Sequence, residues 1–362
     1  MKYLCSKPLT AWYCGFIISQ DGVYSPNLVF SEREALNYFI STFGNSLASA
    51  MMSRNSTFID CGKCFACRIR KRQEMTTRLN NELAVHGEDC CFITLTYNDD
   101  NLPTTCIRSI KDSEKMVERG VSALPVQTLL PSDVQKFLKR LRRHLEYIPK
   151  KASKRVGRDH VDKPLRYFAV GEYGGKTARP HYHIMIFGWK PSDLQFYSMR
   201  KGNVVYRSKQ LEKLWTFGFS TVQPCGLGVA KYCSRYVTKK FVNDAKNFEP
   251  FQDSFFPEFT LQSIRHGGIG APWFDLHFEE MIRRGYVNYR QGSNFIKARI
   301  PQYYLRRLRK KYLCSWLQLR DERIVFMKSH KFDRTLATVV DSLNAVNVYK
   351  KRELELMQGS LF

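Results

Sequence analysis

The run Cys90 to Tyr97 (CCFITLTY) constrains the fold most. It is β-branched and aromatic, too short for a helix, and closed by the turn-forming Asn98-Asp99-Asp100-Asn101. It is read as a buried strand. Leu165 to Gly171 (LRYFAVG) and His181 to Trp189 (HYHIMIFGW) flank a glycine-rich turn near Gly174-Gly175 and read as the two strands of a hairpin. Between the first strand and this hairpin, after Pro131, Ser132 and Asp133 can cap a helix in which Val134, Phe137, Leu138, Leu141 and Leu145 share one face. Leu211 to Phe217 suits a short helix, Phe219 to Gln223 a strand, and Val229 to Phe241 a last helix after the breakers Pro224, Gly226 and Gly228. The order strand, helix, strand, strand, helix, strand, helix is that of an α+β fold, a split βαβ antiparallel sheet flanked by helices.

The rest of the chain divides around this core. Residues 1–60 read as irregular with short apolar pieces, and Arg68-Ile69-Arg70-Lys71-Arg72 opens a helix from Cys67 to about Val85, stopped by Gly87. Residues 101–130 read as an insertion, and Lys150 to Arg158 as a basic linker. The expected domains are an N-terminal segment (1–88) with a cysteine cluster and a basic helix, a catalytic domain (89–245), and a basic C-terminal region (246–362) that binds DNA. No apolar run approaches the roughly 18 residues of a membrane span. The opening Met1 to Thr10 lacks the apolar core of a signal peptide, so a cytosolic protein without a membrane partner is expected.

Charge narrows the partner. With 58 Lys+Arg against 33 Asp+Glu the formal net charge is +25, which points to a polyanion, while 43% hydrophobic residues exclude a disordered basic tail. The polar face of the helix after Pro131 carries Lys136, Lys139, Arg140, Arg142 and Arg143 with no acid between Gln135 and Leu145. That suits nucleic-acid contact, and a solvated charged face gives the same pattern.

The chemistry concentrates in three places. In Pro180-His181-Tyr182-His183, strand alternation sends both histidines to one face, where they can share a metal ion. Glu172 ends the preceding strand, so in a hairpin its carboxylate lies beside them and completes a set of two histidines and one carboxylate. Mixed nitrogen and oxygen ligation with open positions fits Mg²⁺ or Mn²⁺ acting as a Lewis acid. On the last helix Tyr232, Tyr236 and Lys239 or Lys240 fall on one face. The same stripe could simply be an amphipathic core face. Next to a metal site, however, lysines would favour a phenolate able to attack a DNA phosphodiester. The product is a 5′-phosphotyrosine with a free 3′-OH, which a second transfer can rejoin without ATP.

These segments, FITLTY (Phe92 to Tyr97), VGEYG (Val170 to Gly174) with RPHYHIMIFG (Arg179 to Gly188), and VAKYCSRYVTKK (Val229 to Lys240), resemble the three ordered motifs of rolling-circle replication initiators of the HUH endonuclease superfamily. Within it the chain is most similar to the replication initiation proteins of the Microviridae, small single-stranded DNA phages of the gokushovirus branch. CGKCFACR (Cys61 to Arg68), DVQKFLKRLR (Asp133 to Arg142) and GGIG (Gly267 to Gly270) support the match. The resemblance implies His181 and His183 as metal ligands and Tyr232 and Tyr236 as nucleophiles that nick viral origin DNA, prime from the 3′-OH, and later cleave and rejoin to release circles. It places Tyr97 in DNA contact or sheet packing, outside catalysis. It also implies action in the cytoplasm of a bacterial host, on supercoiled replicative-form and single-stranded viral DNA. No G-x4-G-K-[ST] motif is present, so a host helicase is expected to unwind and a host polymerase to extend. Two rivals stay open: a plasmid relaxase or transposase of the same chemistry, and a non-catalytic DNA-binding or packaging protein.

Two further signals are weaker. Cys61, Cys64 and Cys67 resemble a metal knuckle for structural Zn²⁺, for which a fourth ligand must come from Cys5, His86 or Cys90. A free-thiol turn leading into a helix reads equally well. The run Ile300 to Lys311 mixes Tyr303 and Tyr304 with Arg306, Arg307, Arg309, Lys310 and Lys311. It suits phosphate neutralisation with base stacking, or an amphipathic solvated helix.

Overall fold

The computed structural model describes residues 5, 7–18, 24–105, 126–147, 165–174, 177–200, 202–239, 256–291 and 294–329. The basic linker, Gly175, Lys240 and the tail beyond Val340 lie outside them. By its internal contacts the chain divides into two units, one from Met1–Lys71 with the chain after Tyr304, the other from Arg72–Tyr304.

In the first unit, β1 (Leu9–Ile18) pairs antiparallel with β2 (Tyr24–Val29). After α1 (Glu32–Phe43) and α2 (Asn45–Arg54) the chain returns as β3 (Ser56–Ile59) on the other side of β1. Ser31 caps α1, its hydroxyl accepting from the Glu34 N–H at 3.4 Å. This corrects the expectation of irregular structure over residues 1–60. The strands are hard to read because β1 keeps Leu9, Phe16, Ile17 and Ile18 exposed beside buried Ala11 and Cys14, which erases a clean alternation. Cys14, Ala35, Phe39 and Ala48 form a buried apolar cluster between the sheet and these helices.

α3 (Phe65–His86) leads out of this unit and ends at Gly87, whose φ of +60° stops the helix. β4 (Cys90–Tyr97) follows, then a short ribbon of β5 (Thr104–Thr105) with β6 (Val126–Gln127), and α4 (Pro131–Tyr147). Pro131 takes the first position of α4, so Ser132 and Asp133 fall inside its first turn instead of capping it. Asp133 turns inward, accepting from the Tyr97 hydroxyl at 2.9 Å. β7 (Arg166–Tyr173) and β8 (Pro180–Phe187) form the expected hairpin. A second hairpin, β9 (Gln195–Arg200) and β10 (Asn203–Arg207), was not legible, because β9 is an edge strand with almost no buried residue to mark a face. α5 (Lys209–Leu214), β11 (Gly218–Pro224), α6 (Leu227–Lys239) and β12 (Phe259–Gln262) complete the core of the second unit.

The strands make one seven-stranded antiparallel sheet in the order β12-β7-β8-β4-β11-β10-β9. Both faces are covered. Cys91, Ile93, Leu95, Ala169, Tyr182, Ile184 and Ile186 pack on Val134, Phe137, Leu138 and Leu141 of α4 and on Leu211 and Leu214 of α5. The opposite face sets Phe92, Phe168, Val170, Met185 and Phe187 against Leu79 and Leu83 of α3 and Ala230 and Cys233 of α6. Burial on both faces is why the three strand runs read as nearly continuous apolar sequence. Beyond β12 come α7 (Ala271–Arg284), the ribbon of β13 (Val287–Gln291) and β14 (Asn294–Ala298), α8 (Gln302–Lys311) and α9 (Leu313–Ser329). Among the described residues no helix is long and apolar enough to cross a membrane.

Candidate active site

The central hairpin sets the site. Its register pairs Glu172 with His181 and Val170 with His183, while β4 on the other side pairs Thr96 with His181 and Thr94 with His183. Residues directly opposite one another point to the same face, so Glu172, His181, His183 and Thr94 all emerge on the side covered by α3 and α6. Gly171 is required beside them. A Cβ there would stand 2.6 Å from the ring of Phe259, its partner on β12.

The donor atoms converge. Glu172 Oε1 lies 2.9 Å from His181 Nε2 and 2.8 Å from His183 Nε2. Each imidazole is held from behind. His181 Nδ1 is 3.1 Å from the Arg179 carbonyl oxygen, which can only accept, so Nδ1 donates to it and Nε2 is the atom that faces Glu172. His183 Nδ1 is 3.0 Å from the Thr94 hydroxyl, and its ring stacks on Phe92 at 5.4 Å between centroids. Carbonyl and hydroxyl partners behind ligating imidazoles are the usual outer support of a metal site. The two nitrogens and one oxygen, within 4.8 Å of one another, fit a divalent cation that keeps open positions for oxygen ligands.

α6 brings the phenols to this group. The Tyr232 hydroxyl lies 3.4 Å from both Glu172 Oε1 and His183 Nε2, and the Tyr236 hydroxyl donates to that of Tyr232 at 2.7 Å. Helical spacing alone stacks the two tyrosines. What aims them is the buried side of α6, where Ala230 and Cys233 pack on the sheet and Ser234 shares a 2.7 Å hydrogen bond with Thr76 of α3.

Electrostatics inside the group oppose ionised phenols. Burial pushes the Glu172 carboxyl up, but hydrogen bonds from His181 and His183 outweigh it and hold Glu172 well below the usual carboxylate range. Burial, reinforced by the Glu172 charge, raises both Tyr232 and Tyr236 above the ordinary phenol value.

The other sequence candidates fall elsewhere. Lys239 ends α6, its side chain outside the described residues, and Lys240 lies outside them altogether. Lys139, Arg142 and Arg143 are exposed on α4, on the sheet face opposite the histidines. Arg140 turns inward, its Nε donating to the Leu214 carbonyl at 2.8 Å while the guanidinium stacks over Phe217. Tyr97 packs in the sheet, buried against Tyr182 and Trp215. Tyr304 is fully buried and so closed to a base, while Tyr303 is half-buried with one face of its ring under the Arg78 guanidinium. Arg306 is exposed and Arg307 half-buried. Cys61, Cys64 and Cys67 gather with Cys5 in the first unit, while His86 pairs with Glu82 and Cys90 is buried in the sheet. Sequence reasoning missed Thr94, Thr76 and Ser234. For Thr94 there was a signal: threonines alternating at 94 and 96 in an otherwise apolar strand mark the face that carries the site.

Residues 90–241 match the family described as replication-associated protein ORF2, a span that runs from the first residue of β4 past the end of α6. The replication-associated protein VP4 of Bdellovibrio phage phiMH2K is 30% identical over 334 residues, covering 90% of this chain and 86% of that one. The chain belongs to the Microviridae type of phage replication-associated proteins. Two other relatives in this family are ORF2 of Spiroplasma virus 4, 28% identical over 255 residues (70% of this chain, 68% of that one), and ORF4 of Chlamydia phage 1, 32% identical over 219 residues (59% and 46%). No solved structure matches the chain. The family match contains Thr94, Glu172, His181, His183, Tyr232 and Tyr236, so every side chain of the site lies inside it.

Proposed function

We propose that this replication protein is an HUH-type, metal-dependent DNA nickase and strand-joining enzyme that initiates rolling-circle replication through a covalent 5′-phosphotyrosine. The observation that carries this reading is the Tyr232 hydroxyl, 3.4 Å from both Glu172 and His183, with Tyr236 hydrogen-bonded behind it. Glu172, His181 and His183 would hold Mg²⁺ or Mn²⁺, which supplies Lewis-acid polarisation of the scissile phosphate and offsets the negative charge that keeps the phenols protonated.

The chain's own residues do the rest. Tyr232 gives its phenolic proton to solvent and its oxygen bonds to phosphorus. The bond from phosphorus to the 3′ oxygen breaks, and that oxygen takes a proton from solvent and becomes the primer end. The phosphate stays on Tyr232, so the energy of the phosphodiester is retained for rejoining. Tyr236 donates a hydrogen bond to the attacking oxygen and is placed to make the second transfer that releases a circle. Lys239 and Lys240 stabilise developing charge. Lys139, Arg142, Arg143, Arg306 and Arg307 serve the backbone of origin DNA, and Arg140 shapes the helix that carries the first three. The enzyme works in the host cytoplasm on supercoiled and single-stranded viral DNA, with unwinding and synthesis by host helicase and polymerase.

The test is a denaturing gel of purified protein with labelled single-stranded oligonucleotides tiled over the origin, in Mn²⁺ or EDTA. A protein–DNA adduct that needs the metal and disappears in His181→Ala and in Tyr232→Phe/Tyr236→Phe is expected. Retarded but uncleaved DNA in every lane would overturn the reading in favour of a non-catalytic binding protein.

A further inference from the structure

The first unit holds a second cluster of metal-ligating side chains that nicking does not use. Cys5 precedes β1, Cys61 and Cys64 follow β3, and Cys67 lies in the first turn of α3. Since β1 and β3 pair with Leu9 opposite Ile59, the chain ends carrying Cys5 and Cys61 leave the sheet together. The sulfurs meet there: Cys5 to Cys61 3.4 Å, Cys5 to Cys64 3.7 Å, Cys64 to Cys67 3.4 Å, with all four within 4.8 Å of one another.

Those separations select a ligand. A zinc ion bonds thiolate sulfur at about 2.3 Å, so a tetrahedral site has edges of about 3.8 Å. An iron–sulfur cubane interposes four irons and four sulfides and holds its cysteines much farther apart. The surroundings are those of thiolate ligands. The Cys61 N–H points to Cys5 Sγ and the Cys64 N–H to Cys61 Sγ, each at 3.3 Å, and Arg70 Nη2 reaches Cys67 Sγ at 3.2 Å. Gly62, at φ +71°, makes the tight turn that folds Cys64 back on Cys61, and the Lys71 ammonium lies beside it. Four thiolates around a divalent ion carry a net charge of −2, which Lys71 and Arg70, the latter also paired with Asp60, partly offset.

We infer that Cys5, Cys61, Cys64 and Cys67 form a closed, structural tetrathiolate Zn²⁺ site, separate from the Glu172 group. The fourth ligand is Cys5, ahead of β1, and the role of the site is to fasten β1 to the entry of α3.

The test uses the full-length protein purified in reductant, with and without Zn²⁺ added back, and reads metal content and zinc X-ray absorption. One zinc per chain with an all-sulfur shell at about 2.3 Å is expected in the wild type, a result that needs no variant to fold. His181→Ala/His183→Ala should retain that zinc, whereas Cys5→Ser and Cys64→Ser should bind it at least tenfold more weakly in a competition with a chromophoric chelator. Replacing zinc by Co²⁺ should give intense visible bands with thiolate charge transfer, absent in Cys5→Ser. No zinc after add-back, a shell containing nitrogen or oxygen, iron in place of zinc, or unchanged affinity in Cys5→Ser would overturn the assignment. None of these outcomes bears on nicking, so the two proposals fail independently.

Discussion

A single hydroxyl on β4 decides how one of the two imidazoles points. Thr94 holds Nδ1 of His183 at 3.0 Å, and His183 Nε2 is in turn the atom that meets both Glu172 and Tyr232. Threonine to valine keeps the shape of the strand residue and removes only the hydrogen bond. Thr94→Val should therefore weaken Mn²⁺ binding about 10–100-fold, the usual cost of losing such a support, with melting temperature nearly unchanged and Thr94→Ser restoring affinity. Titration calorimetry measures it, and equal affinity in wild type and Thr94→Val would show that Thr94 is merely packing. The histidines, Glu172 and the tyrosines are legible from sequence because their spacing matches strand and helix periods. Thr94 is legible only as a face marker, through its alternation with Thr96, since a threonine in a strand is ordinary whether or not its hydroxyl does anything.

Among elements, α3 does most to position the site. Its Thr76 fixes Ser234 of α6, and one turn and a half later its Glu82 anchors the glycine turn at Gly267–Gly270. Glu82 is fully buried: Oε2 accepts from the Gly270 N–H at 2.5 Å, while Oε1 faces His86 Nε2 at 3.1 Å and Arg166 Nε at 3.3 Å. Arg166 in turn donates to the carbonyls of Gly268 and His266, and Arg78 to that of Ile269. Removing one partner from such a group leaves a buried cation uncompensated. Glu82→Ala should cost about 3–5 kcal/mol in urea denaturation. A loss below about 1 kcal/mol, as for a surface pair, would mean that the turn is held by other contacts. GGIG was visible in sequence only as a motif that supports the family resemblance. That its glycines are carried by an acid and an arginine far apart in the chain could not be read, because no local pattern links residues 82, 166 and 270.

At the scale of the whole molecule the charge of +25 is not spread evenly over one function. The sheet separates the Glu172 group from the exposed cations of α4 in the second unit. The face with Glu172, His181 and His183 continues along the same row through Thr96 to Phe219 of β11, 59% exposed, whereas the cations of α4 stand beyond the opposite face. A short single strand in the active site would not reach them. Lys139→Ala/Arg143→Ala should weaken binding to origin duplex and reduce the salt slope of log K by about one for each phosphate no longer neutralised. Adduct formation with a short single-stranded oligonucleotide should be unchanged in the same variant. Equal losses on both substrates would contradict the separation. Phe219→Ala is expected to do the reverse, weakening the single strand by about 1–3 kcal/mol as base stacking on the ring is removed, read by fluorescence anisotropy.

The sequence by itself determined the central strands, the hairpin of histidines and the tyrosine helix, because each depends on a local pattern: a continuous apolar run in a strand buried on both faces, a spacing of two that puts both histidines on one face, about 3.6 along a helix. It also carried the net charge that points to a polyanionic partner, since net charge needs no fold. Only the tertiary structure decided that residues 9–59 make a sheet, that Cys5 is the thiol that joins Cys61, Cys64 and Cys67, and that Arg140 and Tyr304 face inward. Those outcomes rest on contacts between residues distant in the chain. An exposed strand, a lone cysteine or a cation on a helix looks the same in sequence whichever neighbour the fold supplies.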